Sequence, residues 1–336
     1  MSRVVFAGNV LVDALKTLES WPERGCIAQV LGMSRSVGGC VCNTGIDLKR
    51  LDPAIDVVAH AVVGKDDNGD FAVGVLAENG LDVSHVSRID APTTSTDVMA
   101  LQSTGERTFF CMRGAGALYA PSADEIPAGS GDLLHLGYLL LLDALDSPDP
   151  EYGTRAARLL ADVRSRGIRT SIDLVSEQSP RVPSVLKPAL PHCDYVVMNE
   201  VEAAAITGIP ARDADGRIDG RRLEELARAV AGYGVRDKTV IHCPEGSGAV
   251  DAAGRFEYLP SLVLPAGWIK GAVGAGDAFC SGMLYSFIQG WDVVRGMHLA
   301  RAAAAANLAS SSGTGGALGL DETLELDRRF DPSRGS

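Results

Sequence analysis

Short apolar β-type runs alternate with helical patterns along almost the whole chain of 336 residues. Such runs are typical of parallel strands that are buried on both faces of a sheet. They lie at residues 4–7, 56–63, 132–136, 170–173, 195–198 and 239–242. Helical patterns lie near residues 41–51, 69–79, 151–166, 199–206, 221–233, 277–289 and 293–309. This order predicts an α/β fold with a doubly wound, mainly parallel sheet that helices cover on both faces.

Two stretches, residues 14–36 and 93–111, interrupt this alternation. Both contain β-type runs, and the second includes the hairpin signal QSTGE at residues 102–106. We expect a few antiparallel strands that stand off the main sheet as a small lid, inserted in one domain over residues 1–326. Residues 327–336 are expected to form a frayed tail.

The charge and the cysteines exclude several classes of function. The chain has 31 Lys and Arg against 43 Asp and Glu, a net charge of −12, which disfavours a nucleic-acid partner because phosphate backbones need a basic face. No apolar run reaches the roughly 18 residues of a membrane span, and the N-terminus lacks a secretory signal pattern. The seven cysteines are scattered and odd in number. We therefore expect a cytoplasmic protein with reduced thiols and no membrane partner.

The sequence GAVGAGDAF at residues 271–279 directly precedes a helical pattern. Its first six residues have the spacing of a Walker A loop, but Asp277 and Ala278 stand where that loop has lysine and a hydroxyl residue. Glycines before a helix let backbone N–H groups point at an anion, and the helix N-terminus adds partial positive charge. Asp277 could then take a proton from a hydroxyl that attacks a bound phosphoryl group. The alternative interpretation is an ordinary helix N-cap.

Four motifs, in order over most of the chain, resemble the ribokinase-like, or PfkB-type, family of carbohydrate kinases. The family's C-terminal signature is close to D-T-x-G-A-G-D-A-F, and residues 274–279 keep its second half. The other three are an early glycine and aspartate, a Gly-Gly pair with an asparagine a few residues on, and an NxxE motif. Here they are Gly8 and Asp13, Gly38-Gly39 with Asn43, and Asn199 with Glu202.

The resemblance implies an ATP-dependent kinase that phosphorylates a hydroxyl of a small sugar or sugar acid. It makes Asp277 the catalytic base, and it makes the backbone N–H groups of Gly274, Ala275 and Gly276 an anion hole for the transferred phosphoryl group. It also implies Mg²⁺, which suits few carboxylates together with substrate oxygens and water. Glu202 would hold Mg²⁺ through water.

The resemblance also assigns binding residues. Asn199, Glu202, Pro244 and Gly246 are expected at the nucleotide, and Asp13, Gly38, Gly39, Asn43 and Arg113 at the acceptor. A guanidinium at Arg113 would suit a carboxylate or phosphate on the acceptor. Five of these residues have a local alternative: a capping box for Asn199 and Glu202, a strand-end turn for Asp13, an exposed helix position for Asn43 and a surface arginine for Arg113.

The chain departs from the family signature at Gly271 and Ala272, where the family has Asp-Thr. That aspartate helps to bind an activating monovalent cation, so the cation site is expected to be degraded and K⁺ activation weak. A nucleoside kinase and a non-catalytic sugar or nucleotide sensor stay open as alternatives. A dinucleotide-dependent oxidoreductase is disfavoured because no GxGxxG follows the first strand. A homodimer through the lid is expected, because short strands with exposed edges are natural pairing sites.

Overall fold

The computed structural model describes residues 3–104, 106–175 and 179–334. Their strands, in chain order, are β1 (Arg3–Gly8), β2 (Leu11–Leu18), β3 (Val30–Gly38), β4 (Asp56–Gly64), β5 (Asp82–Ile89), β6 (Ser95–Leu101), β7 (Arg107–Met112), β8 (Leu133–Leu139), β9 (Pro148–Asp149), β10 (Gly153–Thr154), β11 (Arg169–Leu174), β12 (Tyr195–Asn199), β13 (Lys238–Cys243), β14 (Gly246–Asp251) and β15 (Phe256–Pro260).

The α-helices are α1 (Cys40–Leu51), α2 (Asp67–Glu78), α3 (Asp143–Asp146), α4 (Arg155–Ser165), α5 (Val182–Leu186), α6 (Glu200–Thr207), α7 (Gly220–Ala231), α8 (Ala275–Ile288), α9 (Val293–Leu308) and α10 (Leu320–Phe330). Short 3₁₀ turns lie at Gly114–Leu118, Ala123–Glu125, Leu190–His192 and Pro332–Arg334. Within the described residues, no helix combines the length and the hydropathy that a membrane crossing needs.

The main sheet has nine strands in the order β15-β14-β13-β12-β11-β8-β1-β4-β5. The seven strands from β13 to β5 pair in parallel, and β14 and β15 continue the sheet as antiparallel strands. One apolar core lies between the sheet and α3 to α7, and a second lies between the sheet and α1, α2, α8 and α9. Both faces of the sheet are therefore covered, and the predicted doubly wound α/β fold is confirmed.

A second, four-stranded sheet has the order β3-β2-β6-β7, and we call these four strands the lid. Its outer pairs, β2–β3 and β6–β7, are antiparallel as predicted, whereas the central pair β2–β6 is parallel. The central pair can be parallel because the chain returns through α1, β4, α2 and β5 before it forms β6. The predicted turn at residues 102–106 includes residue 105, which lies outside the described residues. The N–H of Leu101 donates to the carbonyl of Glu106 across it, at 2.9 Å.

The C-terminal segment is more ordered than the predicted frayed tail. Helix α10 continues to Phe330, and Leu326 and Asp327 on it are buried. Arg301 of α9 is buried too, and its guanidinium lies 2.7 Å from a carboxylate oxygen of Asp327 and 2.9 Å from one of Asp331. The prediction of a frayed end beginning at residue 327 was therefore wrong for residues 327–331, because a buried ion pair and a small apolar contact hold them to α9. Residues 335 and 336 lie outside the described residues.

The strand order locates the crevice in which an α/β sheet of this kind binds ligands. From β1 the sheet grows through β4 and β5 on one side and through β8 and β11 on the other, so connections diverge between β1 and β8. Ligands bind at such a switch point, outside the carboxyl ends of the strands. Here those ends lead to Asn9, Tyr138 and Leu174.

Candidate active site

The turn before α8 has the geometry of an anion hole. Gly274, the N-cap of α8, has φ +79°, a left-handed conformation that residues with a β-carbon rarely adopt. The N–H of Ala275 makes a long bond of 3.3 Å to the carbonyl of Ala272. Among the described residues, the N–H groups of Gly274 and Gly276 have no acceptor within hydrogen-bonding distance. The beginning of α8 thus presents N–H groups and the positive end of its dipole to the cavity in front of it.

Asp277 lies in the first turn of α8 and is 8% exposed. Its carboxylate accepts three side-chain donors: Asn43 Nδ2 at 2.9 Å, the Thr44 hydroxyl at 3.4 Å, and the Tyr138 hydroxyl at 3.1 Å from each oxygen. Burial, and then the charge of Asp173, raises the pKa of Asp277 to about 6, although the three donors oppose this. A carboxyl group with such a pKa is a base at neutral pH and is well matched to proton transfer. The alternative interpretation of Asp277 as an N-cap is not what the structure has, since Gly274 holds that position.

A cavity of about 320 Å³ opens in front of Asp277 and Gly276. Asn199 and Glu202 also line it, at the end of β12 and in the first turn of α6. They form a capping box, because the N–H of Glu202 donates to Asn199 Oδ1 at 2.9 Å and the N–H of Asn199 donates to Glu202 Oε2 at 3.0 Å. The capping box, which the sequence left open as a local alternative for these two residues, is therefore present. It also holds the Glu202 carboxylate at the cavity wall, as a magnesium site would require.

The predicted acceptor residues on the lid and α1 lie together. A β-carbon built on Gly38 would be 2.7 Å from Asp13 Oδ2, so the glycine lets the chain pass directly beside that carboxylate. Burial raises the pKa of Asp13 to about 6, against a hydrogen bond from Thr96 that lowers it. Asn43 is 5% exposed rather than an exposed helix position, and its amide donates to Asp277. Asn43 thus connects the predicted acceptor wall to the predicted base.

Arg113 lies outside the residues that line the cavity. Its guanidinium donates to the carbonyl of Leu140 at 2.8 Å and to Asp143 at 2.6 Å. These contacts hold the guanidinium at Leu140 and Asp143, outside the cavity lining. The predicted contact between Arg113 and the acceptor stays a prediction.

The predicted nucleotide residues Pro244 and Gly246 lie at the hairpin between β13 and β14, with Pro244 exposed and Gly246 buried in β14. This hairpin is tied to the start of α6 by Arg212, which donates to Glu245 at 2.6 Å and to Glu200 at 2.8 Å. The two predicted nucleotide segments are thereby held side by side, although Pro244 and Gly246 do not line the cavity.

Sequence reasoning missed a buried polar group near the base, and its Asp173 lines the same cavity. The group consists of Cys40, His135 and Asp173. The thiol sulfur, a ring nitrogen and a carboxylate oxygen of these residues lie within 4.8 Å of one another. His135 Nδ1 contacts the Ser171 hydroxyl at 2.6 Å, and its Nε2 lies 3.4 Å from Asp173 Oδ2. The polar atoms of His135 and Asp173 are therefore already partnered within the protein.

Two further residues of the cavity wall were missed. Tyr138 is the second-to-last residue of β8, and its hydroxyl donates to Asp277. His242 packs against Phe279 with ring centroids 4.7 Å apart, and burial lowers its pKa to about 4, so its ring is neutral. The only signal for either residue was its position at the carboxyl end of a predicted parallel strand, where ligand-binding residues gather.

Comparisons with known proteins bear on the family of the chain and on its fold. A family model described as pfkB family carbohydrate kinase matches residues 1–318. Fructokinase of Klebsiella pneumoniae is 30% identical over 254 residues, which cover 74% of this chain and 75% of that protein. ATP-dependent ribose-1-phosphate kinase of Halopiger xanaduensis is 26% identical over 307 residues, 91% of each chain. The solved structure of Arabidopsis thaliana ribokinase complexed with ribose and ATP has a TM-score of 0.79 at 18% identity, covering 98% of this chain and 99% of that one.

Proposed function

The chain belongs to the pfkB family of carbohydrate kinases, and we propose that it transfers the γ-phosphoryl group of ATP to a hydroxyl of a small sugar or sugar acid, with Asp277 as the base. One observation carries the assignment of the base. Asp277 is a buried carboxylate that faces a cavity directly beside the N–H groups at the start of α8. A proton acceptor and an anion hole on one helical turn are the two elements that phosphoryl transfer to a hydroxyl requires.

In this mechanism the acceptor hydroxyl donates its proton to Asp277 while its oxygen attacks the γ-phosphorus. The N–H groups of Gly274 and Gly276 stabilise the negative charge on the transferred phosphoryl oxygens, and Ala275 assists if its long turn bond opens. Asp13, Gly38 and Gly39 would hold the acceptor against the lid. The chemistry is mostly positioning and electrostatics, because the phosphoryl group passes through a loose transition state.

The cavity wall fits a magnesium ion bound together with ATP. Glu202 supplies one buried carboxylate and Asn199 one amide oxygen, a donor set that suits an ion which keeps much of its water and takes its other ligands from phosphates. Mg²⁺ would neutralise charge on the ATP phosphates there. Asn199 and Glu202 would orient it through the capping box that already fixes both side chains.

The test is ADP release from Mg-ATP across sugars, sugar acids, sugar phosphates and nucleosides. We expect one sugar-like class to drive turnover that depends on the acceptor. Turnover with nucleosides alone would contradict the proposed acceptor class. No turnover with any acceptor, together with a ligand-dependent rise in melting temperature, would instead support a sensor.

The pH dependence of kcat/KM should show the titration of Asp277. The base must be ionised, and burial raises its pKa to about 6, so activity is retained above that pH and lost as pH falls through it. Below the pKa we expect a decrease of about tenfold per pH unit. Rates measured from pH 4.5 to 8.5, with each sample returned to neutral pH to verify that it is still folded, check this. An acid limb near pH 4, the range of an ordinary aspartate, would contradict it.

We expect the kinase to run equally fast in KCl and NaCl. The signature aspartate is replaced by Gly271, which brings no side-chain oxygen to the loop that packs against Ser310 and Ser311. Initial rates in KCl, NaCl and choline chloride at one ionic strength measure the effect. A strong, saturable increase in K⁺ alone would show that a monovalent-cation site persists.

We further propose that two copies associate through the lid. Its outer strands expose large apolar side chains, among them Met33 (76% exposed), Phe109 (61%) and Phe110 (52%). Phe109→Glu should therefore shift the mass measured by light scattering from dimer to monomer. Val263→Glu, at an equally exposed site outside the lid, is the control and should leave the mass unchanged. A wild-type protein that is monomeric at all concentrations would refute the proposal.

A further inference from the structure

The backbone is unusual at the carboxyl end of β8 and directly after that strand. Tyr138 has φ +60° and Leu140 has φ +84°, and they are the only residues other than glycine with positive φ in the part of the chain that the structure describes. The left-handed conformation costs a residue with a β-carbon roughly 1–2 kcal/mol. Strain of this kind persists only where surrounding groups hold it, and it concentrates at functional sites.

Side chains hold both strained residues in place. Asp173 Oδ1 accepts the N–H of Tyr138 at 2.9 Å, and Asp146 Oδ1 accepts the N–H of Leu140 at 3.2 Å. Asp173 is in turn supported by His135, whose other ring nitrogen contacts Ser171. Asp173 and His135 therefore have a structural role, which is to position the backbone of Tyr138.

This backbone conformation brings the Tyr138 phenol into contact with the Asp277 carboxylate. Its hydroxyl is 3.1 Å from both oxygens of Asp277. Burial, and then the charge of Asp277, raises the pKa of the phenol well above its usual value, so it stays protonated and is the donor. Asn43 and Thr44, the other two donors to Asp277, reach it from α1 and do not line the cavity. The phenol is thus the donor that covers Asp277 on its cavity side.

We propose that Tyr138 is a positioning residue whose hydroxyl covers the cavity side of Asp277 and keeps water away from that carboxylate. The inference rests on the proposed function of Asp277 as the base. A kinase whose base faces an open cavity can activate water instead of its acceptor. Water would then form a bond to the γ-phosphorus of ATP, the bond from that phosphorus to the bridging oxygen of ADP would break, and the water proton would go to Asp277. The phenol prevents this by filling the site that the water needs.

The test is the rate of ATP hydrolysis without acceptor in Tyr138→Phe, which removes only the hydroxyl. We expect this rate to rise severalfold, while acceptor-dependent turnover is retained. The acid limb of kcat/KM should also move to higher pH, because a donor that lowers the pKa of Asp277 is lost. A purely structural role would lower turnover without raising hydrolysis. Unchanged or reduced hydrolysis in a folded Tyr138→Phe protein overturns the proposal.

Tyr119→Phe is the matched control. Tyr119 is also buried, and its hydroxyl contacts His60 Nδ1 at 2.8 Å, away from the cavity. The Tyr119→Phe variant should hydrolyse ATP without acceptor at the wild-type rate. If Tyr138→Phe does not fold, Tyr138→Asn serves instead, because asparagine tolerates the left-handed conformation better than tyrosine and also deletes the phenol. The same increase in hydrolysis is expected.

A separate readout distinguishes this proposal from the proposed function. In protein labelled with ¹³C at aspartate carboxyl carbons, the Asp277 signal is assigned by its loss in Asp277→Asn. Tyr138→Phe should raise the pKa of that signal, whether or not any acceptor is phosphorylated. If no acceptor turns over but the pKa rises, the proposed function fails and the contact between Tyr138 and the base stands. An unchanged pKa refutes the contact itself.

Discussion

Asp277→Asn is expected to reduce acceptor phosphorylation by about 100- to 10,000-fold, the range that a general base contributes. Asparagine keeps the size of the side chain and can still accept hydrogen bonds from Asn43 and Tyr138, but it cannot take the proton of the attacking hydroxyl. The substitution should lower kcat and leave KM nearly unchanged, because the proton is transferred in the transition state and not when the acceptor binds. Steady-state kinetics with a saturating acceptor measure it.

The stability of this variant separates lost chemistry from lost folding. Burial raises the folded-state pKa of Asp277 to about 6, above its unfolded value, so the stability linked to this group is present at low pH and is lost as pH rises through 6. A neutral asparagine avoids that loss, and the melting temperature at pH 7.5 should be equal to or higher than that of the wild type. Asp321→Asn, an exposed acid in the first turn of α10, is the control and should keep full activity. A loss below tenfold in kcat for Asp277→Asn would exclude it as the base.

Gly274→Ala should be the second most damaging change, with kcat reduced by about 100- to 1,000-fold, the effect of losing one anion-hole donor. A β-carbon at Gly274 would lie 2.1 Å from the carbonyl oxygen of Gly313, which is backbone and cannot rotate away. The turn must therefore shift and carry its N–H groups out of register with the phosphoryl oxygens. The left-handed φ of +79° adds strain of about 1–2 kcal/mol. Kinetics and thermal melting together measure both effects.

Gly290→Ala is a closely matched control. Gly290 follows the opposite end of the same helix, has φ +66°, and has no atom within 4 Å of an added β-carbon. It should lose stability through the same backbone strain while its kcat stays at the wild-type value. If Gly274→Ala and Gly290→Ala had equal activity, the turn before α8 would not be the anion hole.

The sequence by itself determined the six central strands of the nine-stranded sheet and the turn that begins α8, whereas β5, β14 and β15 were not predicted. All six predicted parallel strands are present, because short, mainly apolar runs between helical patterns are typical of strands that are covered on both faces. The glycines of residues 271–276 and the acid that follows them specify a local structure, a helix N-terminus with exposed N–H groups, and such a structure needs no distant residue. Local periodicity and backbone sterics are therefore enough for this part of the molecule.

Only the tertiary structure decided which residues surround the base. Asn43 lies 234 positions from Asp277 and Tyr138 lies 139 positions from it, and the order of the strands brings all three to one edge of the sheet. The left-handed φ of Tyr138 depends on Asp173, on a neighbouring strand, and the order of residues 327–331 depends on the buried Arg301. The raised pKa of Asp277 likewise follows from burial and from a charge on another element. Local sequence does not encode these features, because each is a contact between segments that only the folded topology brings together.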